Sequence, residues 1–344
     1  INLDGSQGEG GGQIVRSSLT LAMVTGSPFE LNHIRAGRRK PGLQRQHLTA
    51  VQAAGEVSGA EIEGNTLGSS RLLFRPQRVR AGEYSFRIGT AGSTTLVLQT
   101  VLPALVLAEG PSQVTLEGGT HNPLAPTFEF VDQVYLPQLA QMGPQFGAEL
   151  ISHGFFPAGG GKYSVTIHPT TGFSSLELLE RGKLRDQHAT VLLANLPQHI
   201  AERERKVIHA DEQWRRVKCD VVSIDTTPGP GNVVQLRMQF EEVTELVTAF
   251  GQRGVRAEKV AKTALKEARK YLRSKAAVGE HLADQLLLPL GIGAARGDGG
   301  GCFRTSCLSS HTTTHIELLK QFLAIQVDIE ERDTDDFVIR VSPA

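Results

Sequence analysis

The chain has 344 residues, a length typical of two or three domains or of one domain with an insertion. Lys plus Arg and Asp plus Glu each total 36, so a net charge of zero excludes a global basic field, and RNA or DNA would need a local patch. Three cysteines are too few for a disulfide framework, and no apolar run approaches the ~20 residues that span a bilayer. We therefore expect a cytoplasmic protein without a membrane segment.

The chain opens on a short apolar strand, a glycine cluster and a helix, in the segment INLDGSQGEGGGQIVRSSLTLAMVTG. Glycine-rich backbone that leads into a helix N-terminus favours anions, because free N–H groups and the helix dipole meet there. Glu9 lies in this loop and could hold a metal ion, and Arg16 follows in the helix. The pattern indicates a phosphate site, with a tight strand-to-helix turn without a ligand as the alternative.

Two familiar phosphate motifs do not fit this segment. Counting G-x-G-x-x-G from Gly8 places Gln13 at the third glycine, so the dinucleotide fingerprint is broken. A GGGK run ends at Lys162, but Phe156 replaces the first P-loop glycine and Tyr163 follows the lysine. A phosphate site here must therefore belong to another fold.

The arrangement of the first strand and helix recurs along the chain. A strand, a small-residue turn and an apolar helix are predicted again at 86–110 and, more weakly, at 300–323. With the elements around them, these segments form units that read β-α-β-α-β-β over roughly 80 residues each. The pattern predicts an α/β (α+β) protein with three repeated modules in one large domain.

The third unit is interrupted by about ninety residues of different character, which indicates a smaller inserted α/β domain. We place the large domain at 1–182 and 276–344 and the inserted domain at 183–275. Strands are predicted there at ATVLLANL, CDVVSID and VVQLRMQF, with helices at IAERERKVIHADEQW and RAEKVAKTALKEARKYLRS. The charges of the second helix are typical of a solvated face.

Two histidines lie at the start of a predicted helix near the end of the chain. His311 follows the loop GDGGGCFRTS, and histidine is a competent nucleophile or base near neutral pH. A structural role is the alternative. His315 lies four residues on and could share a metal with His311, but HExxH is absent, and we favour a helix-surface or capping role for it.

A local basic patch in IRAGRRKPGLQRQH could bind a terminal phosphate, since guanidinium groups bind phosphate through two hydrogen bonds. No aromatic residues interleave, so a base-stacking platform is not indicated. A solvated loop is the alternative. The cations of the patch are Arg35, Arg38, Arg39, Lys40 and Arg45.

Taken together, several of these motifs resemble the RNA 3′-terminal phosphate cyclases. The matching segments follow the family's order over nearly the whole chain: LDGSQGEGGGQIVRSSL, IRAGRRKPGLQRQHL, IGTAGSTTLVLQTVLPAL, GGTHNPLAP, GFFPAGGGKYSV and VGEHLADQLLLP. The resemblance implies three β-α-β-α-β-β modules with an inserted small domain. Enolpyruvyl transferases share those modules, so fold alone does not decide function.

The resemblance implies an ATP-dependent reaction that turns an RNA 3′-phosphate into a 2′,3′-cyclic phosphodiester. A histidine takes AMP from ATP, AMP passes to the RNA 3′-phosphate, and the neighbouring 2′-hydroxyl displaces it. By position, His311 matches the nucleophile and Glu9 matches the residue that holds a divalent metal, Mg²⁺ or Mn²⁺. The physiological RNA and the oligomeric state are not indicated.

Further roles are implied by matching positions in the family's motifs. The expected contacts to the RNA 3′-phosphate are Arg16, Arg35, Arg38 and Gln46. The expected ATP contacts are Gln99, Pro126, His281, Leu282, Ala283, Asp284 and Gln285. The family usually has tyrosine where this chain has His281, so stacking on adenine would involve less area.

Two other functions are compatible with the same modules. Relatives of the family act in RNA processing or ribosome assembly without cyclase activity, and they lack the nucleophilic histidine that His311 matches here. An enolpyruvyl-type transferase is a third alternative, although no substrate-binding motif of that group is apparent.

Overall fold

Four mixed sheets of four strands each organise the protein, in a computed structural model that describes residues 1–344. Three of the sheets repeat one topology, in which two parallel strands are followed by an antiparallel hairpin. No helix is both long enough and apolar enough to span a membrane. The predicted α/β class with three repeated modules and a smaller inserted unit is confirmed.

The first sheet has the strand order β1-β2-β4-β3, with β1 and β2 parallel and the other pairs antiparallel. Leu3 pairs with Leu31 and Phe29 with Phe74, and all four side chains enter the core. The elements of this module are β1 (Asn2–Asp4), α1 (Gly12–Thr25), β2 (Phe29–Asn32), α2 (Arg45–Ser58), β3 (Glu61–Glu63) and β4 (Leu72–Arg75).

The second sheet repeats this pattern in the order β5-β6-β8-β7. Its second helix is continuous but contains a π-helical turn just before Pro137, which has no N–H for a regular helical hydrogen bond. The elements are β5 (Glu83–Arg87), α3 (Thr94–Leu105), β6 (Ser112–Gly118), α4 (Phe128–Phe130), the π segment (Val131–Tyr135), α5 (Leu136–Ala140), β7 (Gln145–Ser152) and β8 (Gly161–His168).

The third sheet, in the order β15-β16-β14-β9, is built from segments far apart in sequence. Its first strand precedes the inserted unit and pairs in parallel with a strand more than one hundred residues later, with Leu176 opposite Gly301. The elements are β9 (Leu176–Leu178), α8 (Glu280–Arg296), β14 (Gly301–Thr305), α9 (Ser310–Phe322), β15 (Ile325–Asp333) and β16 (Asp336–Pro343).

The fourth sheet, in the order β11-β10-β12-β13, lies within the segment predicted as an inserted domain, whose boundaries stay a prediction. Strand β13 escaped the sequence analysis because its apolar positions do not alternate regularly. The elements are β10 (Leu184–Ala194), α6 (His199–Ala210), β11 (Lys218–Ile224), β12 (Gly231–Phe240), β13 (Thr244–Phe250) and α7 (Ala257–Arg273). The lysines of α7 face solvent, as predicted.

One predicted repeat is wrong. The segment 300–323, which was expected to copy the first strand and helix of the chain, contains β14 and α9. Because β14 pairs in parallel with β9, as β2 does with β1, β14 and α9 correspond to β2 and α2. The true counterpart of α1 is α8. The inserted unit separates β9 from α8, so the sequence pattern picked out the next uninterrupted strand and helix.

Candidate active site

The first turn of α9 presents His311 to solvent. Ser309 caps this helix, since its Oγ accepts a hydrogen bond from the N–H of Thr312 at 3.0 Å. Nδ1 of His311 lies 2.7 Å from Oε1 of Gln13, which projects from the first turn of α1. Because an amide oxygen only accepts, Nδ1 carries the proton and Nε2 keeps a free lone pair. His311 therefore has the tautomer that a nucleophile needs.

A carboxylate from α8 fixes the start of α9. Ser309 Oγ donates to Oδ1 of Asp284 at 2.9 Å, and the hydroxyl of Thr312 donates to the same oxygen. Burial raises the pKa of Asp284, while the hydrogen bonds from Thr312 and Ser309 oppose that rise. Asp284 thereby positions the first turn that carries His311.

The glycine loop before α1 brings Glu9 against α9 and the basic patch. The N–H of Glu9 donates to Oγ1 of Thr314 at 2.9 Å, one turn beyond His311. Arg38 forms an ion pair with Oε1 of Glu9 and donates to its carbonyl oxygen at 3.0 Å. Oε2 of Glu9 is buried without a hydrogen-bond partner. That orphaned oxygen fits a divalent cation held by one carboxylate and substrate phosphates.

A second positive region lies around Gly12, the first residue of α1. Arg16 is half-buried, its guanidinium makes no hydrogen bond or ion pair, and burial lowers its pKa to about 10. Arg35 occupies a left-handed backbone conformation with φ of 53° and donates to the carbonyl oxygens of Lys40 and Gly42. An unpaired guanidinium beside a helix N-terminus is a binding group for an anion.

Sequence reasoning missed His47, which belongs to this region. A Cβ placed on Gly12 would meet Nε2 of His47 at 2.3 Å and Nη1 of Arg16 at 2.9 Å, so glycine allows the two side chains to converge. Burial, followed by the charges of Arg16 and Arg35, lowers the pKa of His47 to about 3. Nδ1 of His47 accepts a hydrogen bond from the N–H of Gln44 at 3.2 Å, so Nε2, the atom nearest Gly12, carries the proton of the neutral ring. The sequence did offer one signal for His47, because it directly follows Gln46 in the basic motif.

The other expected nucleotide contacts fall into three groups. His281 is exposed at the start of α8, one turn before Gln285. Gln99 and Gln285 each have a buried amide atom without a partner, Nε2 and Oε1 respectively, which a ligand could satisfy. Pro126 contributes its carbonyl oxygen to a hydrogen bond from Thr95 at 2.8 Å.

Two of the expected contacts have no free surface. Leu282 and Ala283 are completely buried in the core beneath α8. In this conformation neither side chain is available to a nucleotide, because both face away from the solvent-exposed side that carries His281. Both side chains pack in the core, so a nucleotide contact from either residue would have to come from its backbone, and it stays a prediction.

The surface or capping position expected for His315 is wrong. The ring is buried and bridges α1 and α8, with Nε2 3.1 Å from Oγ of Ser17 and Nδ1 3.1 Å from the carbonyl oxygen of Asp284. Burial lowers its pKa to about 4. His315 is a neutral structural residue that joins the first and third modules below His311.

The repeated modules also relate three side chains that sequence reasoning did not connect. Gln46, Glu129 and His311 are each the second residue of the second helix of a module. Oε1 of Gln46 accepts a hydrogen bond from the N–H of Ser93 at 2.7 Å, so this residue links the first and second modules. Glu129 was missed because only the corrected repeat aligns it with the other two.

Comparisons with known proteins agree with this arrangement. The family model described as "RNA 3′-terminal phosphate cyclase" matches residues 7–329. A protein of that name from Salmonella agona is 50% identical over 331 residues, which cover 96% of this chain and 94% of the relative. Another from Koribacter versatilis is 49% identical over 333 residues, covering 97% and 92%.

A solved enolpyruvyl transferase, NikO from Streptomyces tendae, aligns over 98% of this chain and 48% of its own, with 10% identity and a TM-score of 0.36. That similarity is too weak to carry an argument. The family model and the relatives, by contrast, extend over nearly the whole chain. The protein is therefore a member of the RNA 3′-terminal phosphate cyclase family.

Proposed function

We propose that the protein converts an RNA 3′-terminal phosphate to a 2′,3′-cyclic phosphodiester at the expense of ATP. The observation that carries this proposal is the hydrogen bond from Nδ1 of His311 to Gln13, which leaves Nε2 free at the solvent-exposed start of a helix. The chemistry requires activation, because an oxygen of a phosphate monoester is a poor leaving group whereas AMP is a good one.

In the first step, Nε2 of His311 attacks the α-phosphorus of ATP, and the bond to pyrophosphate breaks. Nδ1 keeps its proton and donates it in a hydrogen bond to Oε1 of Gln13. This oxygen therefore stabilises the positive charge of the adenylated imidazole. The positive end of the α9 helix dipole favours negative charge at the transferred phosphate. His281, Gln99, Pro126, Asp284 and Gln285 are proposed to hold the nucleotide.

In the second and third steps, an oxygen of the RNA 3′-phosphate displaces the imidazole, and the 2′-hydroxyl then displaces AMP. Arg16, Arg35, Arg38 and Gln46 are proposed to bind the 3′-phosphate. Arg16 is the strongest candidate, since its guanidinium has no partner within the protein. Placing cations here offsets the repulsion between the RNA phosphate and the adenylate phosphate.

Glu9 is proposed to hold Mg²⁺ or Mn²⁺ through Oε2, the buried oxygen without a partner. A divalent ion at this position would neutralise charge on the nucleotide phosphates. Arg38 is paired with the other carboxylate oxygen and so holds the Glu9 side chain in place. The same contact links the proposed metal ligand to the proposed RNA site.

A two-substrate experiment tests the proposal. An RNA labelled in its 3′-phosphate should become resistant to phosphatase only with ATP and a divalent metal. The matched RNA with a 2′-deoxy terminal nucleotide should stop as the adenylated end, because the attacking hydroxyl is missing. RNA binding without either product would instead favour a non-cyclase role in RNA processing or ribosome assembly.

A further inference from the structure

A second polar cluster lies where the second module meets the fourth sheet, on residues that the proposed reaction does not use. His121 follows β6, Glu129 is the second residue of α4, and His153 follows β7. Nε2 of His121 lies 2.9 Å from each carboxylate oxygen of Glu129. One nitrogen or oxygen from each of the three residues lies within 4.8 Å of the other two.

The third member distinguishes this cluster from a simple ion pair. His121 and Glu129 already satisfy each other, yet the ring of His153 stacks on His121 at 5.2 Å between centroids and makes no hydrogen bond. A half-buried imidazole beside an ionised carboxylate, without a polar partner, has an unused lone pair. Two imidazoles and one carboxylate form the donor set of Zn²⁺ sites that keep a fourth position open.

Neighbouring groups orient two of the three side chains. Oγ1 of Thr120 lies 2.8 Å from Nδ1 of His121, and a hydroxyl can either donate or accept there. It therefore permits the tautomer in which Nε2 of His121 offers its lone pair to a metal. Gln235, from β12, donates to Oε2 of Glu129 at 2.8 Å. The ring of Phe155 packs beside both imidazoles, with its centroid 5.2 Å from that of His121 and 6.1 Å from that of His153. Such outer contacts are typical of metal centres.

We propose that His121, Glu129 and His153 form a binding site for a divalent transition-metal ion of the Zn²⁺ type. This site differs in chemistry from the one proposed at Glu9, which offers a single carboxylate oxygen. Gln235 belongs to the fourth sheet, and Phe155 packs with Leu192, Ile224 and Val233 of the same sheet. A bound ion would therefore also rigidify the junction between the fourth sheet and the second module.

Zn²⁺ binding to the metal-free full-length protein tests this inference. Calorimetry should show that His153→Gln loses one Zn²⁺ equivalent, or binds it at least about 100-fold more weakly, since even outer-shell contacts contribute 10–100-fold to metal affinity. The matched control His168→Gln, at an exposed position on β8, should bind like the wild type. Equal stoichiometry and affinity in both variants would overturn the proposal.

A spectroscopic measurement separates this site from adventitious binding to other histidines. Co²⁺ added to the wild type should produce the visible absorption of a four- or five-coordinate nitrogen–oxygen site, and His153→Gln and Glu129→Gln should both abolish it. Zn²⁺ should raise the melting temperature of the wild type and not that of His153→Gln. Without metal, the wild type and His153→Gln should have the same melting temperature, which shows that the substitution leaves the fold intact. A Co²⁺ spectrum unchanged by both substitutions would contradict the site.

Discussion

His311 and Gln13 meet across two modules, with Nδ1 of the histidine 2.7 Å from Oε1 of the amide. Each is the second residue of its helix, α9 and α1 respectively. The first and last modules thus combine to set the tautomer of the proposed nucleophile. A residue near the end of the chain can act there only because the repeated modules bring it to the opening glycine loop.

Removing the side-chain amide of Gln13 should slow formation of the adenylated enzyme. In Gln13→Ala, His311 loses the partner that orients its ring and fixes the proton on Nδ1, so we expect self-adenylylation to fall by about 10- to 100-fold. Single-turnover labelling with α-labelled ATP measures this rate. The control Gln321→Ala, on the exposed end of α9, should react at the wild-type rate. A Gln13→Ala rate equal to that of the control would show that the hydrogen bond has no catalytic role.

Glu9→Gln should change the response to metal rather than the fold. The backbone bond from Glu9 to Thr314 is retained, but the orphaned anionic oxygen is replaced by a neutral amide atom. We expect the Mg²⁺ or Mn²⁺ concentration for half-maximal self-adenylylation to rise about tenfold or more. Glu61→Gln, on the exposed strand β3, is the matched control. Superimposable metal titrations for the two variants would exclude Glu9 as a ligand.

Arg16→Ala should affect the RNA step and spare the ATP step. Loss of a charge-assisted contact to the terminal phosphate should raise the KM for 3′-phosphate RNA by about tenfold or more. Labelling by ATP alone should stay within about twofold of the wild type. Arg87→Ala, which removes an exposed arginine paired with Glu117, should change neither quantity. A defect confined to the ATP step would move Arg16 into the nucleotide site.

The pH dependence of stability should reveal the buried neutral histidine below the site. The pKa of His315 is about 4 in the folded protein against 6.5 for an ordinary histidine. The unfolded chain therefore binds more protons between these values, so this contribution is complete above pH 6.5 and is lost as the pH falls towards 4.

Chemical denaturation at pH 7, 6 and 5 measures this contribution. His315→Gln should reduce the pH slope of the unfolding free energy by about 1.4 kcal/mol per pH unit within the window, the value for one proton. His168→Gln, at an exposed site, should leave the slope unchanged. A slope in His315→Gln equal to that of the wild type would mean that this histidine titrates normally in the fold.

Local sequence patterns predicted most of the fold, because alternating strands and glycine-terminated helices encode the β-α-β-α-β-β unit directly. The predictions from these patterns were wrong where segments that are adjacent in sequence are not adjacent in the structure. The inserted unit separates β9 from α8, and this concealed the true counterpart of α1. Similarly, nothing local shows that the ring of His315 is buried between α1 and α8.

The candidate site was predictable through motifs, but its contacts were not. Glu9, Arg38 and His311 were each identified, whereas the Glu9–Arg38 ion pair and the His311–Gln13 hydrogen bond depend on how the first and third modules pack. His47 was missed because no local pattern shows that its ring approaches Arg16 above Gly12, and Glu129 because the repeat was misaligned in the third module. The contacts of these residues become apparent only when the modules are compared in three dimensions.

Identification of the residue that carries AMP decides whether His311 is the nucleophile. The protein should be incubated with ATP and Mg²⁺ in the absence of RNA, digested under conditions that preserve acid-labile phosphoramidates, and mapped by mass spectrometry. We expect a single AMP on His311, none in His311→Asn, and a normal level in the exposed-site control His168→Asn. Adenylylation of another residue, or its persistence in His311→Asn, would contradict this assignment.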